Sequence, residues 1–219
     1  MIQAVVFDLD GVLVDSEQRW NAVKQDLVRE SGGRWRDEAP TVMMGMSSLE
    51  WSRYLHDELG VRLASERINA DVLARVEQVY RSAVPWIPGA LEAVRRIGAR
   101  WPLGLATSSN REIIDLVLDA GGVRDWFGAI VSSEEVGAGK PAPDVYLEAL
   151  RRLGAPPESA VAIEDSTNGL LAAHAAGMGV IAIPNDAHPP EWRGLSVAAA
   201  VLDSLGELTP EVVEGATPP

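Results

Sequence analysis

The chain has 219 residues, 47% of them hydrophobic, and carries 19 basic against 32 acidic side chains for a formal charge of −13. That length suits one large domain, or a core with a smaller insertion, and the charge argues against broad binding to nucleic acid or anionic membranes. The absence of cysteine excludes disulfide scaffolds, thiolate metal sites and cysteine catalysis.

The chain opens MIQAVVFDLDGVLVD. This stretch has no basic leader, and Asp8 and Asp10 interrupt its apolar run, so it reads as neither a signal peptide nor a membrane span. A soluble, cytoplasmic protein is expected. The first strand-like run is Ala4–Leu9. From residue 16 to about 84 the pattern turns helical, with Trp20, Val23, Leu27 and Val28, then Leu49, Leu55 and Leu59, then Ile68, Val72, Val76 and Val79. No strand pattern occurs there. Residues 15–85 hold 10 basic and 12 acidic side chains and the remainder 9 and 20, so nearly all the excess negative charge lies outside this segment. The spacing predicts a helical insertion over 16–85, set into a core made of 1–15 and 86–219.

Beyond the insertion, helices are predicted at Pro88–Ile97, Arg111–Ala120, Pro143–Leu153 and Asn168–Ala176. They alternate with strands at Leu103–Thr107, Ala129–Ser132, Val161–Glu164 and Val180–Ile183, and a weaker one at Ala198–Leu202. Gly121–Gly122, Gly154 and Gly177 stand where helix C-caps belong. This alternation predicts the α/β class, a doubly wound, Rossmann-like parallel sheet covered on both faces. The tail Leu208–Pro219 is expected to fray.

Ligands of an open parallel sheet bind beyond the carboxyl ends of its strands. Those ends carry Asp8-Leu9-Asp10-Gly11, Thr107-Ser108-Ser109-Asn110 and Glu164-Asp165-Ser166, and the loop after the third strand carries Gly139-Lys140-Pro141. Four carboxylates gathered at one edge need protons or a cation. An all-oxygen set points to a hard cation, Mg²⁺ before Ca²⁺. An EF-hand is ruled out, because Val12 falls at the third ligand position and no helix precedes Asp8. Hydroxyls before a helix start form an anion site, for which plain N-capping is the alternative. Only two of the 19 basic residues are lysines, Lys24 and Lys140, which suggests that a compact ammonium is needed where lysine is kept. Acids, hydroxyls and a lysine around one point describe a phosphoryl-transfer site.

The four segments FDLDGVLVDS (Phe7–Ser16), LATSSN (Leu105–Asn110), GKPAPD (Gly139–Asp144) and IEDS (Ile163–Ser166) make the chain resemble the haloacid dehalogenase-like hydrolase superfamily. The resemblance is to its β-phosphoglucomutase-like phosphatases with a small helical cap, and it runs along essentially the whole chain. It implies that Asp8 is the nucleophile, forming an aspartyl-phosphate, and that Asp10 is the acid and then the base. Mg²⁺ would be held by Asp8, the carbonyl of Asp10 and Asp165, with Glu164 directly or through water. Thr107, Ser108 and Lys140 would bind phosphate, and Trp20, Ser48 and Asn110 are candidate substrate contacts.

Asp10 favours phosphate esters over dehalogenation, since halide leaves without a proton. No motif supports Lys24 as a phosphonatase-type Schiff-base lysine. Receiver domains gather similar groups, but their phosphorylated Asp follows the third strand, where this chain has Val131-Ser132-Ser133. The mutases of the resembling group carry a His where Trp20 stands and an Arg where Ser48 stands, so a phosphatase is expected and a phosphomutase is the alternative. The expected partner is a small phosphate ester such as a sugar phosphate, with no nucleic acid or membrane, acting on a monomer or weak dimer. His188, after the fifth strand, is a candidate to border the site.

Overall fold

Six short apolar runs form one parallel sheet in a computed structural model that describes residues 1–43, 46–185 and 189–218. They are β1 (Ala4–Phe7), β2 (Leu103–Thr107), β3 (Phe127–Ser132), β4 (Ala160–Glu164), β5 (Gly179–Ala182) and β6 (Ala200–Val201), in spatial order β3-β2-β1-β4-β5-β6. The register is parallel throughout, with Phe7 opposite Leu105 on one side and Ile163 on the other. β1, β2, β4 and β5 are buried at every position, the condition of a sheet covered on both faces. The strand order reverses at β1, which puts the crevice for a ligand beside its carboxyl end.

Ten helices accompany the sheet among the described residues. α1 (Glu17–Glu30), α2 (Ala39–Met43), α3 (Ser48–Asp57) and α4 (Ser65–Ser82) fall between β1 and the rest of the sheet. They are followed by α5 (Ala90–Gly98), α6 (Arg111–Gly121), α7 (Asp144–Leu153), α8 (Thr167–Ala175), α9 (Trp192–Leu195) and α10 (Pro210–Gly215). Val5, Phe7, Leu105 and Ile163 alternate onto one face against Val94 and Ile97 of α5 and Ile114 and Val117 of α6. Val6, Ala106, Ala162 and Val180 take the other face against Tyr146 and Leu150 of α7 and Leu170 and Ala173 of α8. The period of two along each strand decides which layer each residue joins.

Residues 16–85 contain helices and no strand among the described residues, as their periodicity predicts. Leu27 and Val28 of α1, Trp51 and Leu55 of α3 and Ile68, Val72 and Val76 of α4 are all buried. The chain enters and leaves this segment side by side. Val14 pairs antiparallel with Trp86, the Asp15 N–H donates to the Pro85 carbonyl at 2.8 Å, and the Ile87 N–H donates to that of Leu13 at 2.9 Å.

The C-terminal tail departs from expectation. Instead of fraying it forms α10, where the Thr209 hydroxyl accepts from the Val212 N–H at 3.4 Å and Pro210 opens the first turn. Leu208, Val213 and Ala216 are buried, and Arg96 donates to the carbonyls of Leu208 (2.9 Å) and Leu205 (2.7 Å). Three apolar side chains and a two-pronged guanidinium dock a segment whose small and acidic composition looks loose. His188 lies outside the described residues.

Candidate active site

Because the strands run the same way, β1, β2 and β4 deliver Asp8, Thr107 and Glu164 to a single edge. There a cavity of about 140 Å³ is lined by Asp8, Asp10, Thr107, Ser108, Lys140 and Asp165 at its base, and also by Asn110. Asp8, buried, accepts the Leu9 N–H at 2.8 Å and faces the Lys140 ammonium at 3.1 Å. Asp10 accepts from the Ser109 hydroxyl at 2.5 Å and from the Thr107 hydroxyl at 3.3 Å. The Thr107 hydroxyl in turn accepts the Ser109 N–H at 3.0 Å. Thr107, expected at a phosphoryl oxygen, lines the cavity base, where its hydroxyl donates to Asp10. Asn110 donates to Glu134 at 2.5 Å, and its carbonyl oxygen is buried with no partner among the described residues.

Lys140 is buried from the side of β4. Its ammonium donates to Glu164 Oε1 at 2.6 Å and to the Ala106 carbonyl at 3.1 Å. Burial disfavours its charge, but Asp8 and Glu164 more than offset this and hold its pKa above the usual lysine value. Glu164, fully buried, also accepts from the Tyr146 hydroxyl at 2.9 Å, from the N–H groups of Asp165 (2.9 Å) and Ser166 (3.1 Å), and from the Ser166 hydroxyl at 3.2 Å. Burial pushes its pKa up, and Lys140 with these donors pulls it below the ordinary glutamate value.

Asp8, Glu164 and Asp165 present carboxylate oxygens within 4.8 Å of one another. Burial first, and then the neighbouring carboxylates, raise the pKa values of Asp8 and Asp165 well above those of free aspartates. One ammonium does not balance three buried acids, so the donor set fits a divalent cation with a preference for oxygen. Glu164 has the shorter contact to Lys140 and several further donors, Asp8 shares that ammonium at 3.1 Å, and Asp165 has no ion pair with it. Asp8 and Asp165 are the carboxylates with the larger need for a metal.

Two glycines make this packing possible. A Cβ on Gly11, whose φ is +79°, would overlap the Asp165 carboxylate. One on Gly169, inside α8, would overlap the carboxylate of Glu164. Gly169→Ala therefore forces Glu164 off its donors. We expect a loss of about 2 kcal/mol or more, since a buried charge loses its hydrogen bonds, read as a lowered denaturation midpoint with an unchanged m-value.

Over the base stand α1, α2 and α3, contributing Trp20, Lys24, Met43 and Trp51 to the cavity wall. Trp20 and Trp51 meet edge to face with centroids 6.2 Å apart. Trp20 thus lies where sequence reasoning puts it. Ser48 does not: it is the buried first residue of α3, does not line the cavity, and its hydroxyl has no partner among the described residues. The adjacent Ser47, capping α3 with Glu50, sets the helix start and turns Ser48 inward. The contact of Ser109 with Asp10 and that of Tyr146 with Glu164 are the features the sequence does not show. Ser109 reads, with Thr107 and Ser108, as an anion-site hydroxyl or a cap, and nothing near Tyr146 in the sequence marks a partner for Glu164.

A strand end bearing a buried aspartate, a buried lysine and an acid cluster at the switch point of this sheet suit a hydrolase of a particular α/β class. Residues 2–177 match the haloacid dehalogenase-like hydrolase family, and the chain belongs to it. Over 211 residues, and 95% of each chain, it is 32% identical to hexitol phosphatase B of Escherichia coli K12. It is 31% identical to the phosphorylated carbohydrates phosphatase of Thermotoga maritima over 193 residues, 84% of this chain and 88% of that one. Among solved structures, CbbY from Rhodobacter sphaeroides in complex with phosphate is similar at a TM-score of 0.85 and 28% identity, covering 98% of this chain and all of that one.

Proposed function

We propose that the protein is a Mg²⁺-dependent phosphatase that hydrolyses a small, sugar-phosphate-like monoester through an aspartyl-phosphate, with residues 16–85 acting as a helical cap over a core of 1–15 and 86–219. The observation that carries this reading is the meeting of Asp8, Asp10, Lys140 and the buried Asp165 at one cavity, with the buried Glu164 carboxylate within 4.8 Å of those of Asp8 and Asp165. Relatives named for hexitol phosphates and phosphorylated carbohydrates support the substrate class.

In this reading an Asp8 carboxylate oxygen attacks phosphorus while the bond to the leaving oxygen breaks. Asp10, aimed by Ser109 and Thr107, supplies the proton that the leaving alkoxide needs. Water then attacks the phosphorus; Asp10 takes its proton, the acyl-phosphate bond breaks, and inorganic phosphate leaves with Asp8 restored. Lys140 would neutralise charge on the phosphoryl oxygens, and Ser108, which lines the cavity, would bind them. Asp8, Asp165, the Asp10 carbonyl and Glu164, directly or through water, would hold Mg²⁺, which supplies positive charge to the phosphoryl group when bound. Trp20, Trp51 and Met43 would exclude bulk water from the reacting group.

Phosphate release from a panel of sugar, polyol, nucleotide and aromatic phosphomonoesters tests the proposal. Release that requires Mg²⁺ and favours polyol or sugar esters is the expected result. A folded, metal-replete enzyme that frees no phosphate from any of them points instead to a phosphomutase, which transfers the group without net release.

A further inference from the structure

All 17 arginines of the chain lie outside the buried set, whereas both lysines are buried, and both line the same cavity. Lys140 answers the phosphoryl end. Lys24 has no place in the proposed chemistry. It projects from α1 with its ammonium 4.7 Å from the Trp51 ring centroid and 5.4 Å from that of Trp20. Among the described residues these ring contacts are its close partners, and no carboxylate forms an ion pair with it.

A buried ammonium with no carboxylate in ion-pair contact is costly, and two indole faces return only part of what water supplied. Rings accept no conventional hydrogen bond, and no protein acceptor takes its N–H donors among the described residues. Burial lowers the pKa to about 8, with attraction from Asp10 and Glu17 working against that, so the group still carries its charge in neutral solution. Asp10 accepts from the hydroxyls of Ser109 and Thr107 and makes no ion-pair contact with Lys24. Lys24 lines the cavity, so a ligand bound there can reach its ammonium.

We propose that Lys24, held between Trp20 and Trp51, determines specificity by binding an anionic group, a carboxylate or a second phosphate, on the leaving portion of the substrate. This rests on the phosphatase reading and narrows its substrate class. The aromatic walls strip water from the anion, and a charge-assisted hydrogen bond in such a setting is stronger than in solution.

The test compares two non-hydrolysable probes of similar size, phosphonoacetate and 2-hydroxyethylphosphonate, which differ in a terminal carboxylate. Calorimetry with the Mg²⁺-loaded enzyme should show phosphonoacetate binding about tenfold tighter, and in Lys24→Met the ratio should fall to about one. Lys24→Arg, which keeps the charge, should retain a preference. The same order should appear in kcat/KM for 3-phosphoglycerate relative to glycerol 3-phosphate. Equal binding of both probes by the wild-type enzyme, or an unchanged ratio in a folded Lys24→Met, overturns the assignment and leaves the phosphatase reading standing. Binding of neither probe, together with no phosphate release from any ester, removes the phosphatase reading and this inference with it.

Discussion

Asp8→Asn should abolish turnover, lowering kcat on the order of 10⁴-fold or more, the scale seen when a covalent nucleophile is removed. The amide keeps the volume and the ability to accept the Leu9 N–H, and loses the oxygen nucleophile. The fold should survive the change. Asp8 sits among buried acids that raise its pKa, with burial the main cause, so its charge is a strain on the cation-free protein, even though Lys140 stands 3.1 Å away. Removing that charge relieves repulsion with Glu164 and Asp165 while Lys140 retains its shorter contact to Glu164. The expected variant is therefore inactive, folded and no less stable without metal than the parent. Circular dichroism melts alongside single-turnover assays on purified protein check both halves. Turnover within tenfold of the parent would reject Asp8 as the nucleophile.

Much of this arrangement is legible in the sequence, for reasons that also define where legibility stops. Buried parallel strands are short uninterrupted apolar runs, so Leu103–Thr107 is found to the residue and Ala160–Glu164 to within one. Edge strand β6 has no such constraint, and the predicted Ala198–Leu202 contracts to Ala200–Val201. The acids at strand ends are found because topology alone brings them together. Contacts made by side chains from separate helices leave no local trace. Tyr146 looks like an ordinary core residue of α7, yet its hydroxyl completes the shell of Glu164. The scarcity of lysine singles out Lys24 from composition, but Trp51, on another helix, is what gives it an environment. Ser48 shows the opposite failure. Position relative to a motif suggests a wall residue, and one turn of helix geometry rotates it into the interior.

Lys140→Met should cost stability as well as activity, and the two losses have separable causes. The ammonium is the only cation among the described residues in contact with Glu164, whose side chain is fully buried. Methionine fills much the same volume, so little cavity forms, but it leaves a carboxylate charge deep in the protein. Breaking a buried pair from one side costs about 3–5 kcal/mol, which for a chain of this length is a fall in Tm of roughly 10 °C. Glu164 would still accept from Tyr146, Ser166 and the Asp165 N–H, and these donors keep the loss at the lower end of that range. If the penalty is the stranded charge, adding Glu164→Gln to Lys140→Met should recover part of it. The double variant would then be more stable than the sum of the two single changes by about 2 kcal/mol. Strict additivity in that cycle would show that Lys140 acts by packing alone. Recovery of stability should not bring recovery of turnover, because in the proposed reaction the ammonium is also needed at the phosphoryl oxygens.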